Sequence, residues 1–306
     1  MYFEKEISGW KSWGGVFQDK EAFTPLAMAI LTEAGFPSLP LENLSPGTNA
    51  VFRSGNVVIK IYVPMESGLD TRPDWLNEQT VMERAARLEV PSPRLLAAGE
   101  KQDKYLFRWI IMEFCPGQEA GKALPEMSVP QRTAFARRVR ELLNRLNQPA
   151  DIIPRDLKQQ AMENERFDCL HPQLVSGLKA RAQSLDLSDS VLVHGDCTGE
   201  NLLVEDGQPI LIDFADCCLA PAWYELPAAV FELFHCDRDA VEAFRGGEDR
   251  DVFLRKLLDG LCIHDFGGNI LHDFFEREGI AADEISSVRT LEALLRNRLY
   301  GREAQT

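Results

Sequence analysis

The chain has 306 residues, of which 45% are hydrophobic and 26% are charged, and its formal net charge is −15. This length and composition are typical of a globular protein with one large core or two lobes, and they exclude a fibrous or largely disordered chain. The acidic balance argues against nucleic acid as a partner, because binding a phosphate backbone requires positive charge.

The negative charge is concentrated in the last part of the chain. Residues 186–306 contain 10 Lys and Arg against 25 Asp and Glu, a deficit of fifteen that equals the whole net charge. Such a region would attract a cationic small molecule. On charge alone, acidic residues that keep the protein soluble are the simpler explanation.

The sequence shows no sign of export or membrane insertion. Its apolar runs are too short to span a bilayer, and residues 1–19 lack the basic and then apolar order of a signal peptide. Seven cysteines form no C-x-x-C pair and their number is odd, so neither a zinc site nor a disulfide framework is indicated. We expect a cytoplasmic protein with reduced thiols that does not associate with membranes.

The first part of the chain changes from a helical to a β pattern. Thr24 and Pro25, followed by an apolar stretch that ends at Gly35, predict a leading helix over about residues 22–35. Four strands and one helix are predicted next, the strands at 49–53, 57–63, 94–99 and 105–114 and the helix at 75–88.

Lys60 is the first candidate functional residue. It is flanked by Val57–Ile59 and Ile61, so it would lie on a buried strand, where an unpaired ammonium is costly and should meet an anion. Glu78, on the following predicted helix, is the candidate partner. The alternative is a lysine that points to solvent from an alternating strand.

Residues 117–306 have a mainly helical pattern. Ser128 and Gln131 form a capping box at the start of a helix with one apolar face. Its arginines lie mostly on the opposite face and are expected to be solvated: Arg137, Arg138, Arg140 and Arg145. Two further helices are predicted at 251–278, with an interruption at Gly267 and Gly268, and at 286–300.

The stretch 191–216 interrupts the helical region with β signals and polar clusters. Its apolar runs Val191–Val193 and Ile210–Ile212 each end in acidic residues, and Asp206 and Gly207 are typical of a tight hairpin turn. Short strands would place three oxygen-bearing side chains at one rim of a hairpin: Asp196, Asn201 and Asp213.

These three side chains suit metal-assisted phosphoryl transfer. A carboxylate can take the proton of an acceptor hydroxyl, while a carboxamide and a second carboxylate can hold Mg²⁺ on a nucleotide's phosphates. Asp196 and Asn201 have the D-x-x-x-x-N spacing of the kinase catalytic loop, and Asp213 precedes a Phe as in the kinase metal-binding Asp-Phe. The alternative is that both aspartates cap turns and Asn201 occupies a bend.

This segment resembles the catalytic core of the aminoglycoside phosphotransferase and choline kinase family, whose loop reads His-Gly-Asp, as at His194–Asp196. The resemblance covers about residues 40–230 and implies a protein-kinase-like α+β fold of two lobes. It implies a nucleotide-binding lobe with a small antiparallel sheet at 1–116. It also implies a helical lobe at 117–306 that contains the catalytic hairpin 191–216 and binds the acceptor.

The resemblance also implies roles for the candidate residues. Asp196 would orient and deprotonate the acceptor hydroxyl, and Asn201 and Asp213 would bind Mg²⁺. Lys60, held by Glu78, would position the phosphates of ATP. Five further residues would contact the nucleotide, namely Gly47 and Asn49 in a covering loop and Met112, Glu113 and Cys115 in a hinge, where Glu113 and Cys115 would act through their backbone.

The predicted function is therefore Mg²⁺-dependent transfer of the γ-phosphate of ATP to a hydroxyl of a small cationic molecule, such as an aminoglycoside or an amino alcohol. For any single one of the acidic and aromatic side chains near the end of this region, surface charge or core packing is the favoured explanation. As a set they could line the acceptor pocket: Trp223, Tyr224, Glu225, Asp237, Asp239, Asp265, Phe266 and Asp273. The glycine-poor covering loop, and Glu225 where the family usually has Asp, keep a second hypothesis open, a catalytically silent pseudokinase. A third hypothesis is an interaction protein that binds no nucleotide.

Overall fold

The computed structural model describes residues 1–45, 47–281 and 284–301. The chain divides into two compact units, the first formed by Met1–Pro116 and Ile212–Ala215 and the second by Gly117–Leu211 and Asp216–Thr306. None of the helices in the described residues combines the length and the apolar character that crossing a bilayer requires.

The first unit is built on a five-stranded antiparallel sheet. Its strands are β1 (Leu41–Asn43), β2 (Ala50–Ser54), β3 (Val57–Ile61), β4 (Leu95–Gln102) and β5 (Leu106–Glu113). They are hydrogen-bonded in the order β1-β2-β3-β5-β4. The prediction of a small antiparallel sheet is confirmed, with one short strand, β1, that the sequence did not indicate.

The helices of the first unit are α1 (Trp10–Gly14), α2 (Lys20–Glu33) and α3 (Arg72–Arg87). The predicted start of α2 is wrong, because Asp19 caps the helix by accepting from the Ala22 N–H at 3.0 Å, and Pro25 lies inside it. The end lies close to the prediction. Gly35 has a φ of 81°, and the N–H after it, on Phe36, donates back into the helix at 2.9 Å.

Strand β3 separates two environments in the first unit. Ile59 and Ile61 belong to an aromatic core in which Phe23 of α2 lies 5.7 Å from Phe52 of β2, measured between ring centroids. Lys60, between these two isoleucines, points to the opposite face because side chains alternate along a strand. The same strand therefore packs a core and presents a functional candidate.

The second unit is mainly helical and contains two small antiparallel sheets. Its strands are β6 (Gln118–Glu119), β7 (Ser190–Val193), β8 (Leu202–Glu205), β9 (Gln208–Leu211) and β10 (Cys218–Pro221). Its helices are α4 (Ala120–Ala123), α5 (Val129–Leu146), α6 (Leu157–Glu163), α7 (Pro172–Ser184), α8 (Arg238–Arg245), α9 (Arg250–Ile263), α10 (Gly267–Glu278) and α11 (Val288–Tyr300). The capping box at the start of α5 is present as predicted.

The helix predicted at 251–278 is two helices, and its break lies before the glycines. Helix α9 ends at Ile263, and Gly267 and Gly268 begin α10. A Cβ at Gly267 would collide with the Leu261 carbonyl oxygen, and one at Gly268 with the Arg166 carbonyl oxygen. The two glycines therefore allow backbones to approach closely, which explains why they stand there.

The predicted turn between β8 and β9 is present, and the sequence did not indicate a partner for β7. Glu205 pairs with Gln208, and Asp206 and Gly207 have φ values of 50° and 73°, as a two-residue hairpin turn requires. The run 191–193 pairs with β10, whereas the run that begins at Ile210 pairs with β8. Short strands take their partners from tertiary packing, which neighbouring sequence does not reveal.

Candidate active site

Three of the predicted side chains form an ionic cluster in the first unit. The Lys60 ammonium lies 2.8 and 3.0 Å from the two carboxylate oxygens of Glu78 and 2.7 Å from Oδ1 of Asp213. The side chains of Lys60 and Glu78 are 3% and 1% exposed, whereas that of Asp213 is 39% exposed. Lys60 thus faces α3 and the turn after β9, and it does not point to solvent.

Burial and electrostatic attraction act in opposite directions on the charged groups of this cluster. Burial alone would lower the pKa of Lys60, but the attraction of Asp213 and Glu78 outweighs it and raises that pKa. Burial raises the pKa of Glu78, against the opposing effect of Lys60. Lys60 therefore stays charged between the buried carboxylate of Glu78 and the partly exposed carboxylate of Asp213.

Tyr62 completes the cluster and was missed in the sequence. Its hydroxyl donates a hydrogen bond to a carboxylate oxygen of Glu78, and the residue is 1% exposed. Burial raises the pKa of Tyr62 well above its usual value, so the hydroxyl remains a donor. The available signal was the spacing, since Tyr62 lies two residues after Lys60 and shares its side of the chain.

Asp213 adopts a backbone conformation that is uncommon for a residue with a side chain. Its φ is 58°, in the left-handed region, and its Oδ1 also accepts from the N–H of Ala215 at 3.3 Å. Aspartate tolerates this region better than most residues, at a cost of about 1–2 kcal/mol. The sharp turn directs the carboxylate back toward Lys60.

Asp196 and Asn201 are brought together in the second unit, in the loop between β7 and β8. The Asn201 amide nitrogen donates to the Asp196 backbone oxygen at 3.1 Å and to its Oδ2 at 2.6 Å. The carboxamide oxygen of Asn201 is therefore the atom that remains for another ligand. His194 is fully buried, and its Nδ1 accepts from the Asp196 N–H at 3.3 Å, so the imidazole helps fix the loop.

The carboxylate of Glu225 holds this loop in place by accepting from backbone N–H groups of the loop. One carboxylate oxygen accepts from the His194 N–H at 2.6 Å, and the other accepts from the Gly195 N–H at 3.2 Å. Asn147, at the end of α5, donates to Glu225 at 3.1 Å and to the Leu192 carbonyl at 2.9 Å. The sequence contained no signal for Asn147, which lies about fifty residues before the loop.

Gly195 is the position where the loop requires a glycine. Its φ is 83°, and a Cβ placed there would lie 2.5 Å from the Asp216 carbonyl oxygen. Both the left-handed conformation and the close approach exclude a side chain. The His-Gly-Asp order therefore has a local structural reason.

The residues predicted to cover the nucleotide lie between β1 and β2. The side-chain oxygen of Asn49 accepts from the Val63 N–H at 3.3 Å, so this carboxamide supports the end of the neighbouring strand. A Cβ at Gly47 would meet no atom within 4 Å. Contact of either residue with a nucleotide stays a prediction.

The residues predicted to form the hinge lie at the end of β5 and just beyond it. Met112 is opposite Val58 in β3, and the Glu113 N–H donates to the Arg94 carbonyl at 3.0 Å. The Glu113 amide is thus occupied, and an adenine contact from this residue would use its carbonyl oxygen. Cys115 follows in the linker and is partly buried; its role and that of Met112 stay predictions.

Three of the side chains that could line an acceptor pocket make contacts within the protein. Glu225 is buried and supports the loop, and Tyr224 is buried against His264, with ring centroids 4.5 Å apart. Asp237 caps α8 by accepting from the Ala240 N–H at 2.9 Å. For Glu225 and Tyr224 the structural explanation is supported, because internal contacts take up both side chains. Contact of the other residues of this set with an acceptor stays a prediction.

Several solved structures share this fold. APH(2")-IIia, in a complex with GDP and kanamycin, matches with a TM-score of 0.62 and 19% identity over 91% of this chain and 100% of its own. A choline/ethanolamine kinase family protein from Mesorhizobium loti matches with a TM-score of 0.58 and 18% identity over 90% and 93%. Amicoumacin kinase hAmiN, with AMP-PNP, Ca²⁺ and Ami, matches with 0.56 and 16% over 89% and 92%. The predicted α+β, protein-kinase-like fold is confirmed.

The family is shown by the sequence itself. No curated protein matches the chain. The sequence model of the phosphotransferase enzyme family, APH, matches residues 48–256, which is more than half of the chain and contains both clusters of candidate residues. The resemblance seen in the stretch 191–216 is thereby confirmed, and the chain belongs to the phosphotransferase enzyme family.

Proposed function

We propose that this chain transfers the γ-phosphoryl group of ATP to a hydroxyl of a small cationic molecule. The observation that carries the proposal is the 2.6 Å hydrogen bond between Asn201 and Asp196, which sets a carboxylate beside a carboxamide in a loop that Glu225 fixes through its backbone. Nucleotide binding is assigned to residues 1–116, and acceptor binding to residues 117–306.

Asp196 acts on the acceptor in this proposal. Its carboxylate accepts the hydroxyl proton as the acceptor oxygen bonds to the γ-phosphorus. The bond between that phosphorus and the bridging oxygen breaks, and ADP leaves with the bonding electrons. His194 positions the carboxylate, since its ring nitrogen is already bonded to the Asp196 N–H.

Asn201 and Asp213 fit the requirements of Mg²⁺. This ion prefers hard oxygen ligands, and these residues offer a carboxamide oxygen and a partly exposed carboxylate. When bound, Mg²⁺ neutralises charge on the transferred phosphoryl group and its leaving oxygen.

Lys60 positions the phosphates of the donor nucleotide. The buried Glu78 holds the Lys60 ammonium in place, and this ammonium also contacts Asp213. Phosphate oxygens of the nucleotide would accept hydrogen bonds from the same ammonium. Gly47 and Asn49 would cover the phosphates, and the adenine would lie at a hinge formed by Met112, Glu113 and Cys115. Nucleotide complexes of the relatives, with GDP and with AMP-PNP, support this assignment.

The class of acceptor follows from charge. Residues 186–306 contain 25 acidic and 10 basic residues, a balance that favours a cationic alcohol. Kanamycin in one relative and the choline/ethanolamine kinase name of another agree with this class.

The test is transfer of label from γ-labelled ATP, with Mg²⁺, to separate pools of aminoglycosides, amino alcohols and simple sugars. Labelled GTP is run beside ATP, because one relative was solved with GDP. We expect label in a pool of cationic alcohols and a loss of about 10²–10⁴-fold in Asp196→Asn. Asp206→Asn, an exposed aspartate in the β8–β9 turn, is the matched control and should keep full activity.

The pseudokinase hypothesis gives a different result. A pseudokinase would be stabilised by Mg·ATP in a thermal melt but would transfer no label to any pool. Absence of both stabilisation and transfer would contradict nucleotide binding itself and leave the interaction protein as the explanation.

A further inference from the structure

A groove of about 710 Å³ lies between helices α5 and α8 in the second unit. On α5 it is lined by Arg137, Arg140, Glu141 and Asn144. These positions follow the i, i+3, i+4, i+7 spacing of one helix face, so they form a continuous polar stripe. The volume is in the range of sites that hold small molecules.

Among the described residues, no carboxylate forms an ion pair with either of the two arginines of this stripe. Arg140 is partly buried, and its guanidinium lies 5.5 Å from the centroid of the Phe244 ring without a hydrogen bond or ion pair there. Burial lowers the pKa of Arg140 in spite of the attraction of Glu248 and Glu225, which stay beyond contact distance. Arg137, one turn away and exposed, likewise forms no ion pair within the part of the chain described.

The groove also offers unpaired negative charge. Glu242 on α8 is already paired with Arg245 and, at 3.5 Å, with Arg250, so it is not available to a ligand. Glu141 and Asp239 are exposed and make no ion pair among the described residues. A simple anion would therefore meet two carboxylates in this groove, and a simple amine would meet two guanidinium groups.

We propose that the groove is a binding site for a small phosphomonoester that also carries an amine. The guanidinium groups of Arg137 and Arg140 bind the phosphate, for which arginine provides paired, charge-assisted hydrogen bonds. Asp239 and Glu141 bind the ammonium group. A molecule with both groups satisfies all four unpaired charges, whereas phosphate alone or amine alone satisfies two and opposes the other two.

The test is calorimetric titration of the full chain with O-phosphoethanolamine at constant ionic strength. We expect saturable binding that weakens about tenfold or more in Arg140→Gln and in Arg137→Gln. Arg138→Gln is the matched control, because Arg138 lies on the same helix but donates to the Gly207 carbonyl at 2.7 Å and does not line the groove. The Arg138→Gln variant should bind O-phosphoethanolamine with the affinity of the wild type.

Two comparisons make the assignment specific. Asp239→Asn should weaken the binding of O-phosphoethanolamine but not that of inorganic phosphate, because only the former carries an amine. Asp196→Asn should bind O-phosphoethanolamine as the wild type does, which separates the groove from the candidate active site and from the fate of the proposed function. The proposal is overturned if the wild type shows no saturable binding, if both groove arginine variants bind normally, or if binding is lost in Asp196→Asn.

Discussion

The two clusters of candidate residues are held together by different interactions. In the first unit, Lys60, Glu78 and Asp213 are joined side chain to side chain by ion pairs of 3.0 Å or less. In the second unit, the loop that contains Asp196 is held mainly through its backbone, by the carboxylate of Glu225. The first cluster therefore depends on charge balance, and the second on the path of the chain.

The largest effect is expected where charge balance is broken. Lys60→Met leaves Glu78 buried near Asp213 without its cation, and removing one partner of a buried pair costs about 3–5 kcal/mol. The free energy of unfolding, measured in urea at pH 7, reports the loss. Because burial already raises the pKa of Glu78, proton uptake at this residue will limit the cost.

The double variant Lys60→Met, Glu78→Met is the control for this interpretation. It replaces the pair by apolar side chains and should recover much of the lost stability, since an apolar substitute for a buried ion pair is often neutral. Lys104→Met, which breaks an ion pair with the exposed Glu6, should have a much smaller effect. A double variant no more stable than Lys60→Met would show that charge is not what this cluster depends on.

The second-largest effect is expected from a substitution that disturbs the backbone of the loop containing Asp196. Gly195→Ala adds a Cβ at a φ of 83° and at 2.5 Å from the Asp216 carbonyl oxygen. The left-handed conformation costs about 1–2 kcal/mol, and overpacking adds about 1–3 kcal/mol. We expect a lower midpoint of urea unfolding together with reduced phosphoryl transfer.

Gly207→Ala separates the two causes. Gly207 has a φ of 73°, but its added Cβ would meet only the end of the flexible Arg138 side chain, at 3.4 Å. This variant should show the conformational cost alone, with transfer activity retained. Equal losses in Gly195→Ala and Gly207→Ala would mean that the close approach to Asp216 contributes nothing.

The contrast between the clusters also explains what the sequence could predict. Lys60 and Glu78 were found because a lysine within an apolar strand requires an anion, and Asp196 and Asn201 because their spacing is specific. Asn147 was missed, and the specific role of Glu225 was not predicted, because each contacts backbone groups that are distant in the sequence. Backbone partners leave no residue-type signal, whereas side-chain partners do.

The same limit applies to the fold. The strands of the sheet at 50–113 and the turn at Asp206 and Gly207 follow from periodicity and turn chemistry. The pairing of β7 with β10 could not be predicted, because tertiary packing selects strand partners. The start of α2 could not be predicted either, because the helix is capped by Asp19 and not by the Thr24 that precedes Pro25.

A pH titration should sharpen the comparison through His264, which stacks on Tyr224 beside Glu225. Burial lowers the pKa of His264 to about 4. Its Nδ1 accepts from the Phe266 N–H at 3.1 Å. Burial outweighs the attraction of Asp265 and a backbone hydrogen bond with Gly195, both of which favour the charged ring. The folded chain therefore keeps this imidazole neutral, while the unfolded chain binds a proton at its ordinary pKa of about 6.5.

The sign follows from proton linkage. The contribution of the neutral His264 to the free energy of unfolding is complete above pH 6.5 and is lost as the pH falls from 6.5 to 4. The free energy of unfolding falls by up to about 1.4 kcal/mol per pH unit over this range, and by about 3 kcal/mol in total. We expect the stability difference between the wild type and His264→Gln to be constant above pH 7 and to shrink below pH 6.5. A difference that stays constant down to pH 4 would show that His264 does not titrate in this way.

The smallest effect is the most specific to the backbone interactions of the second cluster. Glu225→Gln preserves length and volume but replaces one acceptor oxygen by an NH₂ group, which cannot accept from the His194 or the Gly195 N–H. One buried donor is left unsatisfied, at a cost of about 1–3 kcal/mol.

Hydrogen exchange of the His194 and Gly195 amides measures this loss directly, and at least one of the two amides should exchange faster in Glu225→Gln. Glu205→Gln, an exposed glutamate at the end of β8, should change neither amide. Because glutamine has the same length as glutamate, faster exchange in Glu225→Gln alone would trace the order of the loop to hydrogen bonding rather than to packing. Unchanged exchange of both amides would mean that the loop keeps its path without this carboxylate.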